Sequence, residues 1–297
     1  MQKMFIGTVV MGLCALGATA CSGANDGAVG ESTSAQTAAP TYPYLALGDS
    51  IPFGDDGYIS WTDPSRQDAA SFVGYPFVVA QNLFGSASRV YDIACPGETT
   101  GSFLSSTAAD NGCRAYRFTD NDPLHEAYTG TQLDAALAFL QSNPQTQLIT
   151  LTLGANDLLL AQDTCNEASN FTLCEAEALP GLIATASENV AAILDAIRGA
   201  GYGGEIIYLT AYATSYTDAA QLAALPAFNT AVGTVVVAHG GRVASGFDAF
   251  AAGSLLSGGD PCKAGLLIPN PDGTATCDKH PSPKGRDLLA STVDLVH

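Results

Sequence analysis

Charge is scarce in this chain, and positive charge most of all. Only 13% of its 297 residues are charged, and 11 Lys and Arg face 29 Asp and Glu, leaving a net charge of −18. Four of those basic residues are lysines. So small a cationic complement cannot track a phosphate backbone, and nucleic acid is excluded as a partner. There is no glycine-rich phosphate loop. Acidic clusters such as Asp55-Asp56 lack the regular ligand spacing of a calcium loop, so no metal and no cofactor is expected. Tryptophan occurs once, at Trp61. What is abundant is apolar: 47% of the residues are hydrophobic, which excludes a largely disordered chain and suits one large globular domain. The acidity reads as solubility outside the cell.

Export is written at the N-terminus. Lys3 supplies a positive charge, residues 4–17 form an apolar stretch too short to span a bilayer stably, and Ala18-Thr19-Ala20 is a small-residue cleavage site. Residues 1–20 are therefore expected to be a signal peptide. Cys21 follows the cleavage site and opens a run rich in Gly, Ala, Ser and Thr. This is similar to a bacterial lipoprotein signal, in which that cysteine is lipidated, although Ala18 stands where Leu is usual. The expectation is a lipid anchor on Cys21, a flexible tether over 21–41, and a cell-envelope or secreted protein.

Eight cysteines are present, one of them, Cys14, inside the signal. With Cys21 lipidated, six remain, which allow fifteen connectivities. They fall into three couples close in sequence, each in a stretch that reads as loop. The pairing expected is Cys95–Cys113, Cys165–Cys174 and Cys262–Cys277, bridges that an exported protein can keep oxidised.

From Tyr42 onward the texture is that of a folded catalytic domain, expected over 42–297. Five short apolar runs read as buried strands, at 44–47, 89–93, 147–153, 205–209 and 242–247. Helical patterns alternate with them at 72–83, 131–141, 179–200 and 219–239, and an amphipathic helix closes the chain at 283–296. Strands alternating with helices predict a parallel sheet covered on both faces. The segments 54–70, 98–130 and 161–178 are polar and read as loops following strand ends, the edge at which open α/β sheets bind ligands.

Four segments carry candidate chemistry. Ser50 ends the first strand in Leu47-Gly48-Asp49-Ser50, where a serine entering a turn is exposed and can serve as a nucleophile. Cys95-Pro96-Gly97-Glu98 follows the second strand, and a Pro-Gly turn is its plainest reading. Leu153-Gly154-Ala155-Asn156-Asp157 follows the third, with Asn156 able to present an amide NH₂ where the first strand ends. Of four histidines, His239 ends a helix, His125 lies in a loop and His297 is terminal. His280 remains as the base, in Cys277-Asp278-Lys279-His280-Pro281, pinned by proline and the expected last disulfide.

In this order and spacing the four segments resemble the GDSL/SGNH serine esterase and lipase family, from about Tyr42 to the end. The three local cysteine couples are similar to those of its extracellular actinobacterial-type lipases. The resemblance implies a flavodoxin-like three-layer α/β/α sandwich on a five-stranded parallel sheet, strand order 2-1-3-4-5. It implies Ser50 as nucleophile, His280 as base, and an oxyanion hole of the Ser50 and Gly97 backbone N–H groups with the Asn156 amide. Asp49 and Asp157 are expected to bond backbone groups of their own turns. The family commonly places aspartate three residues before the histidine. That position here is Cys277, and Asp278 lies two before. A backbone carbonyl of Cys277 or Asp278 is therefore favoured over the Asp278 side chain as acceptor for the His280 ring.

The activity so implied is carboxylic-ester hydrolysis of the esterase, lipase or phospholipase type, by a monomer without cofactor. Sugar acetyl esters or acyl transfer are the alternatives within the family, since Tyr58 and Trp61 would suit either an acyl or a sugar site. A non-catalytic surface lipoprotein is the alternative outside it, and retention of Ser50, Asn156 and His280 together argues against that.

Overall fold

The computed structural model describes residues 42–57, 68–120, 122–272 and 274–297; the expected signal peptide, Cys21 and the tether lie outside them. Five strands, β1 (Tyr44–Gly48), β2 (Val90–Asp92), β3 (Leu148–Thr152), β4 (Glu205–Leu209) and β5 (Arg242–Ala244), form one sheet in the order β2-β1-β3-β4-β5. Every neighbouring pair is parallel, with Tyr44 opposite both Val90 and Leu148. The five strands fall where the apolar runs predict them, each shorter by a residue or more at β2, β3 and β5.

The helices are α1 (Ser50–Phe53), α2 (Tyr75–Phe84), α3 (Thr100–Leu104), α4 (Gln132–Ser142), α5 (Ala155–Cys165), α6 (Phe171–Gly199), α7 (Ala219–Ala238), α8 (Gly246–Ser254) and α9 (Pro283–Asp294). Alternation along each strand sends side chains to opposite faces and builds two cores. Leu45, Leu47, Ile149, Leu151, Ile206 and Tyr208 meet α4, α6 and α7 on one face, through Phe139, Ile193, Leu194 and Phe228. Tyr44, Ala46, Leu148, Ile207 and Leu209 meet α2, α8 and α9 on the other, through Val79, Phe250, Leu289 and Val293. Each such fully buried aliphatic side chain contributes roughly 1.5–3 kcal/mol. The result is the three-layer α/β/α sandwich.

Hydroxyl groups that reach into these cores are paired. Tyr44 and Thr150 hydroxyls lie 2.7 Å apart and those of Tyr75 and Thr152 2.9 Å apart, so neither core carries an unmade hydrogen bond at these positions.

Two departures from the sequence reading bear on the site. Residues 161–178 are not a polar loop: α5 continues to Cys165 and α6 begins at Phe171, two turns before the expected start, capped by the Asn170 side chain on the Leu173 N–H. Exposed polar residues on the outer faces of a helical hairpin look like loop in a linear reading. Second, the expected 242–247 strand stops at Ala244, because the Ser245 side chain caps α8. A short antiparallel hairpin, β6 (Leu267–Pro269) with β7 (Cys277–Pro281), lies outside the main sheet and carries His280. All three disulfides are formed as expected: Cys95–Cys113, Cys165–Cys174 and Cys262–Cys277.

Candidate active site

The carboxyl ends of β1 and β3 create the site. Gly48 has φ +135°, and a Cβ there would sit 2.1 Å from the Thr152 carbonyl oxygen. Only glycine lets the two strands close so tightly before the chain turns into α1. The Asp49 side chain caps that helix by accepting from the Ile51 N–H at 3.0 Å, which places Ser50 in the first helical position with its N–H at the positive end of the turn. Burial pushes the Asp49 carboxyl up to about 7 against that hydrogen bond.

His280 reaches Ser50 from the β6–β7 hairpin: its Nε2 lies 2.9 Å from Ser50 Oγ. On the other side of the ring, Asp278 Oδ1 stands 2.5 Å from Nδ1 and also accepts from the His280 main-chain N–H at 2.8 Å. The side-chain carboxylate, and not a carbonyl of Cys277 or Asp278, is therefore the Nδ1 acceptor. The reason is elementary. On an extended strand, residues two apart share a face, so Asp278 and His280 on β7 project together. On this strand a residue three before the histidine projects from the opposite face. Burial acts to raise the Asp278 carboxyl, but the hydrogen bond and charge of His280 outweigh it and hold the group below the usual carboxylate range.

The hairpin itself is pinned from several directions. Tyr212 donates to the Lys279 carbonyl at 2.8 Å, Ser282 Oγ donates to the Gly265 carbonyl at 2.6 Å, and Cys277 is bridged to Cys262. A second carboxylate, Asp55, holds Oδ2 4.0 Å from His280 Nε2. The turn bearing it presses on the pair: a Cβ on Gly57 would lie 2.5 Å from Asp278 Oδ1.

Gly97 and Asn156 are brought to the same place. Gly97 has φ +83°, and a Cβ there would strike the Asn111 carbonyl at 2.3 Å. Its own carbonyl accepts from the Asn111 N–H at 2.8 Å, beside the Cys95–Cys113 bridge. Asn156 sits in the first turn of α5 and is buried. Its Nδ2 donates to the Glu98 carbonyl at 3.0 Å, while its Oδ1 accepts from Asn111 Nδ2 at 2.9 Å. One N–H of an NH₂ group is used in this way, and the second is available to a ligand in the cavity that Asn156 shares with Ser50 and His280.

Residues that linear reading passed over support this floor. Gln132, in the first turn of α4, accepts from the Gly48 N–H at 2.6 Å and donates to the Gly48 carbonyl at 2.9 Å and to Glu98 Oε2 at 3.0 Å. Burial pushes the Glu98 carboxyl up to about 7 despite hydrogen bonds from Ser102 and Gln132. Gln132 stands in a capped helix start, Thr131-Gln132-Leu133-Asp134, and nothing local marks it as a long-range ligand. Asp49 and Asp157 each accept from backbone of their own turn as expected, and Asp157 has a further, distant partner. Its carboxylate accepts from the Thr100 N–H at 2.9 Å and the Thr100 hydroxyl at 2.6 Å, tying α5 to the start of α3.

The other histidines serve structure. His125 Nε2 meets the Phe53 carbonyl at 2.9 Å, and His239 Nδ1 meets the Val235 carbonyl at 2.7 Å. His297 Nδ1 lies 2.5 Å from Glu205. Cys95, Glu98 and Cys113 cluster closely enough to hold a metal, but both sulfurs are spent in their bridge, which leaves no thiolate to ligate. Tyr58 and Trp61 lie outside the described residues.

The cavity at Ser50 measures about 240 Å³ and runs between α5, the β4 end and the start of α7, walled by Leu153, Leu158, Leu159, Leu209 and Leu225. Polar side chains line it at both ends, Ser50, Asn156 and His280 at one and Gln162, Thr214 and Gln221 toward α7.

The chain is similar in structure to an extracellular lipase from Streptomyces rimosus, with 19% identity, 87% of this chain and 100% of that one covered, and a TM-score of 0.54. Phospholipase A1 from Streptomyces albidoflavus gives 18% identity, 86% and 98% coverage and 0.53. The lipase Lip_vut3 from a goat rumen metagenome gives 16%, 86% and 97%, and 0.52. At these identities the likeness is one of fold. No curated protein matches the chain. The profile of the GDSL-like Lipase/Acylhydrolase family matches residues 46–288, a span that holds Ser50, Gly97, Asn156 and His280, and the chain belongs to that family.

Proposed function

We propose that this protein is an exported serine ester hydrolase that cleaves carboxylic esters through an acyl-enzyme on Ser50. The observation that carries the reading is the line Asp278 Oδ1, His280 Nδ1, His280 Nε2, Ser50 Oγ, with separations of 2.5 and 2.9 Å across the ring. An imidazole whose Nδ1–H is fixed on a carboxylate presents a free lone pair at Nε2, the tautomer a general base needs.

Ser50 Oγ attacks the ester carbonyl carbon as its proton passes to His280 Nε2. The negative charge gathers on the former carbonyl oxygen, which the N–H groups of Ser50, Gly97 and Asn156 Nδ2 stabilise without reorganising at the moment of reaction. The imidazolium, its charge balanced by Asp278, gives that proton to the departing alkoxide and leaves the acyl group on Ser50. Water then repeats the sequence: His280 takes its proton, the hydroxide attacks the acyl carbon, and the Ser50 Oγ–C bond breaks as the imidazolium returns the proton to Oγ, releasing the acid and restoring the serine.

The leucine-walled cavity beside Ser50 favours an alkyl acyl group over an acetylated sugar, whose hydroxyls need convergent polar partners. Export is supported by three formed disulfides, which persist in oxidising compartments, and by the signal-like N-terminus with its lipidatable Cys21. Release of p-nitrophenol from its butanoate and octanoate esters tests the activity. Wild type is expected to turn over and Ser50→Ala to fall by about 10⁴-fold or more. Wild-type rates in Ser50→Ala end the mechanism.

A further inference from the structure

The nucleophile and the groups that face the oxyanion come from different segments. Ser50 follows Gly48 at the end of β1, whereas Gly97 and the Glu98 carbonyl that anchors Asn156 Nδ2 belong to the loop after β2. A relay of side chains joins the two. Gln132 holds Gly48 by its N–H and its carbonyl, and spends its other amide proton on Glu98 Oε2 at 3.0 Å. Glu98 Oε1 meets Ser102 Oγ in the first turn of α3, and that hydroxyl in turn accepts from the Thr99 N–H at 2.9 Å. The Glu98 carboxyl thus links α3, α4 and, through Gln132, the strand end that bears Ser50.

This carboxyl lacks a bonded counter-ion. Glu98 is 2% exposed, and among the described residues its partners are the neutral groups of Gln132 and Ser102 and, at 3.5 Å, the Tyr128 hydroxyl. Cys113 Sγ also lies 3.5 Å away but is bridged and carries no proton. The neighbouring cations are engaged elsewhere. Arg117 donates to the Tyr128 and Gly130 carbonyls and lies over the Tyr128 ring, and Arg114 pairs with Asp110. Burial raises the Glu98 carboxyl to about 7; the hydrogen bonds from Ser102 and Gln132 and the charge of Arg117 act against it, and Asp110 acts with it. From α3, α4 and β1 the facing groups, Ser102, Gln132 and Gly48, carry no charge. A desolvated carboxyl without a paired cation is held as the acid. As the acid it donates from Oε1 to Ser102 Oγ and still accepts from Gln132 at Oε2, so the whole relay is made without a charge.

We propose that Glu98 is a positioning residue for the oxyanion hole, that it ties the Gly97 loop to the strand end bearing Ser50, and that it does so as a carboxylic acid. The acid form suits the place. Gly97 and Asn156 meet a negative charge that develops in the reaction, and a carboxylate one residue from Gly97 opposes that charge. Loss of the Glu98 proton to solvent therefore lowers kcat on the alkaline side. The proposal rests on Ser50 being the nucleophile.

The test is p-nitrophenyl butanoate hydrolysis by wild type, Glu98→Gln and Glu98→Ala from about pH 6 to about pH 9. An amide at this position can make both bonds of the relay and cannot ionise. The kcat of Glu98→Gln is expected within about threefold of wild type at about pH 6 and at least about threefold above it at about pH 9. A ratio that stays constant over that range overturns the acid form. Glu98→Ala breaks the relay, and a misplacement of about 1 Å can cost about 10²-fold. Its kcat at about pH 6 is expected to fall at least about tenfold, with KM changed less than about threefold. Wild-type kcat in Glu98→Ala overturns the positioning role and leaves the Ser50 mechanism standing. Where Glu98→Ala does not fold, the pH dependence of the Glu98→Gln ratio decides alone. Urea unfolding of Glu98→Ala, Gln132→Ala and the double variant gives a readout free of turnover. Their coupling is expected to reach at least about tenfold in the unfolding constant, and additive effects overturn the tie. Such coupling in a protein that hydrolyses no ester supports the tie and overturns the mechanism.

Discussion

Replacing Asp278 by asparagine removes one negative charge and almost no volume, at the position where the ring of His280 is held. Asp278 Oδ1 accepts two N–H groups from His280, the main-chain one at 2.8 Å and Nδ1 at 2.5 Å. The asparagine has two choices. If its NH₂ turns to the ring, Nδ1 becomes the acceptor, the proton moves to Nε2, and the lone pair that should take the Ser50 proton is gone; in a triad that substitution costs about 10⁴-fold. If its carbonyl oxygen faces the ring instead, the tautomer survives and only charge is lost. Two unit charges about 4 Å apart at an effective dielectric near 20 attract by roughly 4 kcal/mol, and the partial exposure of Asp278 lessens this. The expected fall in kcat is thus about 10²–10³-fold at the least, with KM changed less than about threefold. Steady-state hydrolysis of p-nitrophenyl octanoate, with the fold verified by circular dichroism, measures it. A variant within about tenfold of wild type would show that another acceptor, such as a main-chain carbonyl, supports the ring, and the geometry argued above would be wrong.

Asn156→Ala should lower kcat by about 10²–10³-fold with little change in KM, since its amide matters most once the oxyanion forms; a change confined to KM, read in the same assay, would make it a ground-state contact. Stability should decline as pH rises. Burial lifts the Asp49 and Glu98 carboxyls to about 7 and Asp92 to about 8, so between about pH 4 and these values the folded state binds protons that the unfolded chain has released. Each group's contribution is complete below about pH 4 and lost by about pH 8, and Tm is therefore expected to be higher at pH 5 than at pH 8. A flat or rising Tm over that range in differential scanning calorimetry would refute the assignment. Intact mass of the exported protein should show diacylglyceryl on Cys21 and no alkylatable thiol among the other mature cysteines. Six free thiols would contradict the bridges, and an unmodified chain starting at Cys21 would remove only the anchor.

Much of this was legible in one dimension, and the boundary is instructive. The buried runs at 44–47 and 205–209 identify strands because a sheet covered on both faces demands apolar residues at every position. Ser50, Gly97, Asn156 and His280 were singled out by the order and spacing of four segments that resemble one family; taken alone, the Gly97 segment reads as a Pro-Gly turn. Asp278 was misjudged for want of one fact, that His280 sits on an extended strand. Without β7 the spacing of two residues says nothing about which face either side chain takes. Gln132, Glu98 and Asn111 were out of reach for another reason. Their partners are 84, 58 and 45 residues away in three of the bonds that matter, and a helix start or loop residue looks the same whether or not such a partner exists. The α5–α6 hairpin was missed because many residues on its outer faces are polar.

The nucleophile and the base are held by different parts of the molecule. Ser50 follows a strand inside the five-stranded sheet, whereas His280 is borne by a two-stranded hairpin that shares no ladder with it and is fastened by the Cys262–Cys277 bridge, Tyr212 and Ser282. Sub-global opening of a small unit requires less free energy than melting the sheet. Activity and fold therefore have separate thresholds in this protein. In rising urea, or under mild reductant, turnover should vanish while the far-ultraviolet signal of the sheet and its helices is still intact, and coincidence of the two transitions would show that the hairpin and the sheet open as one.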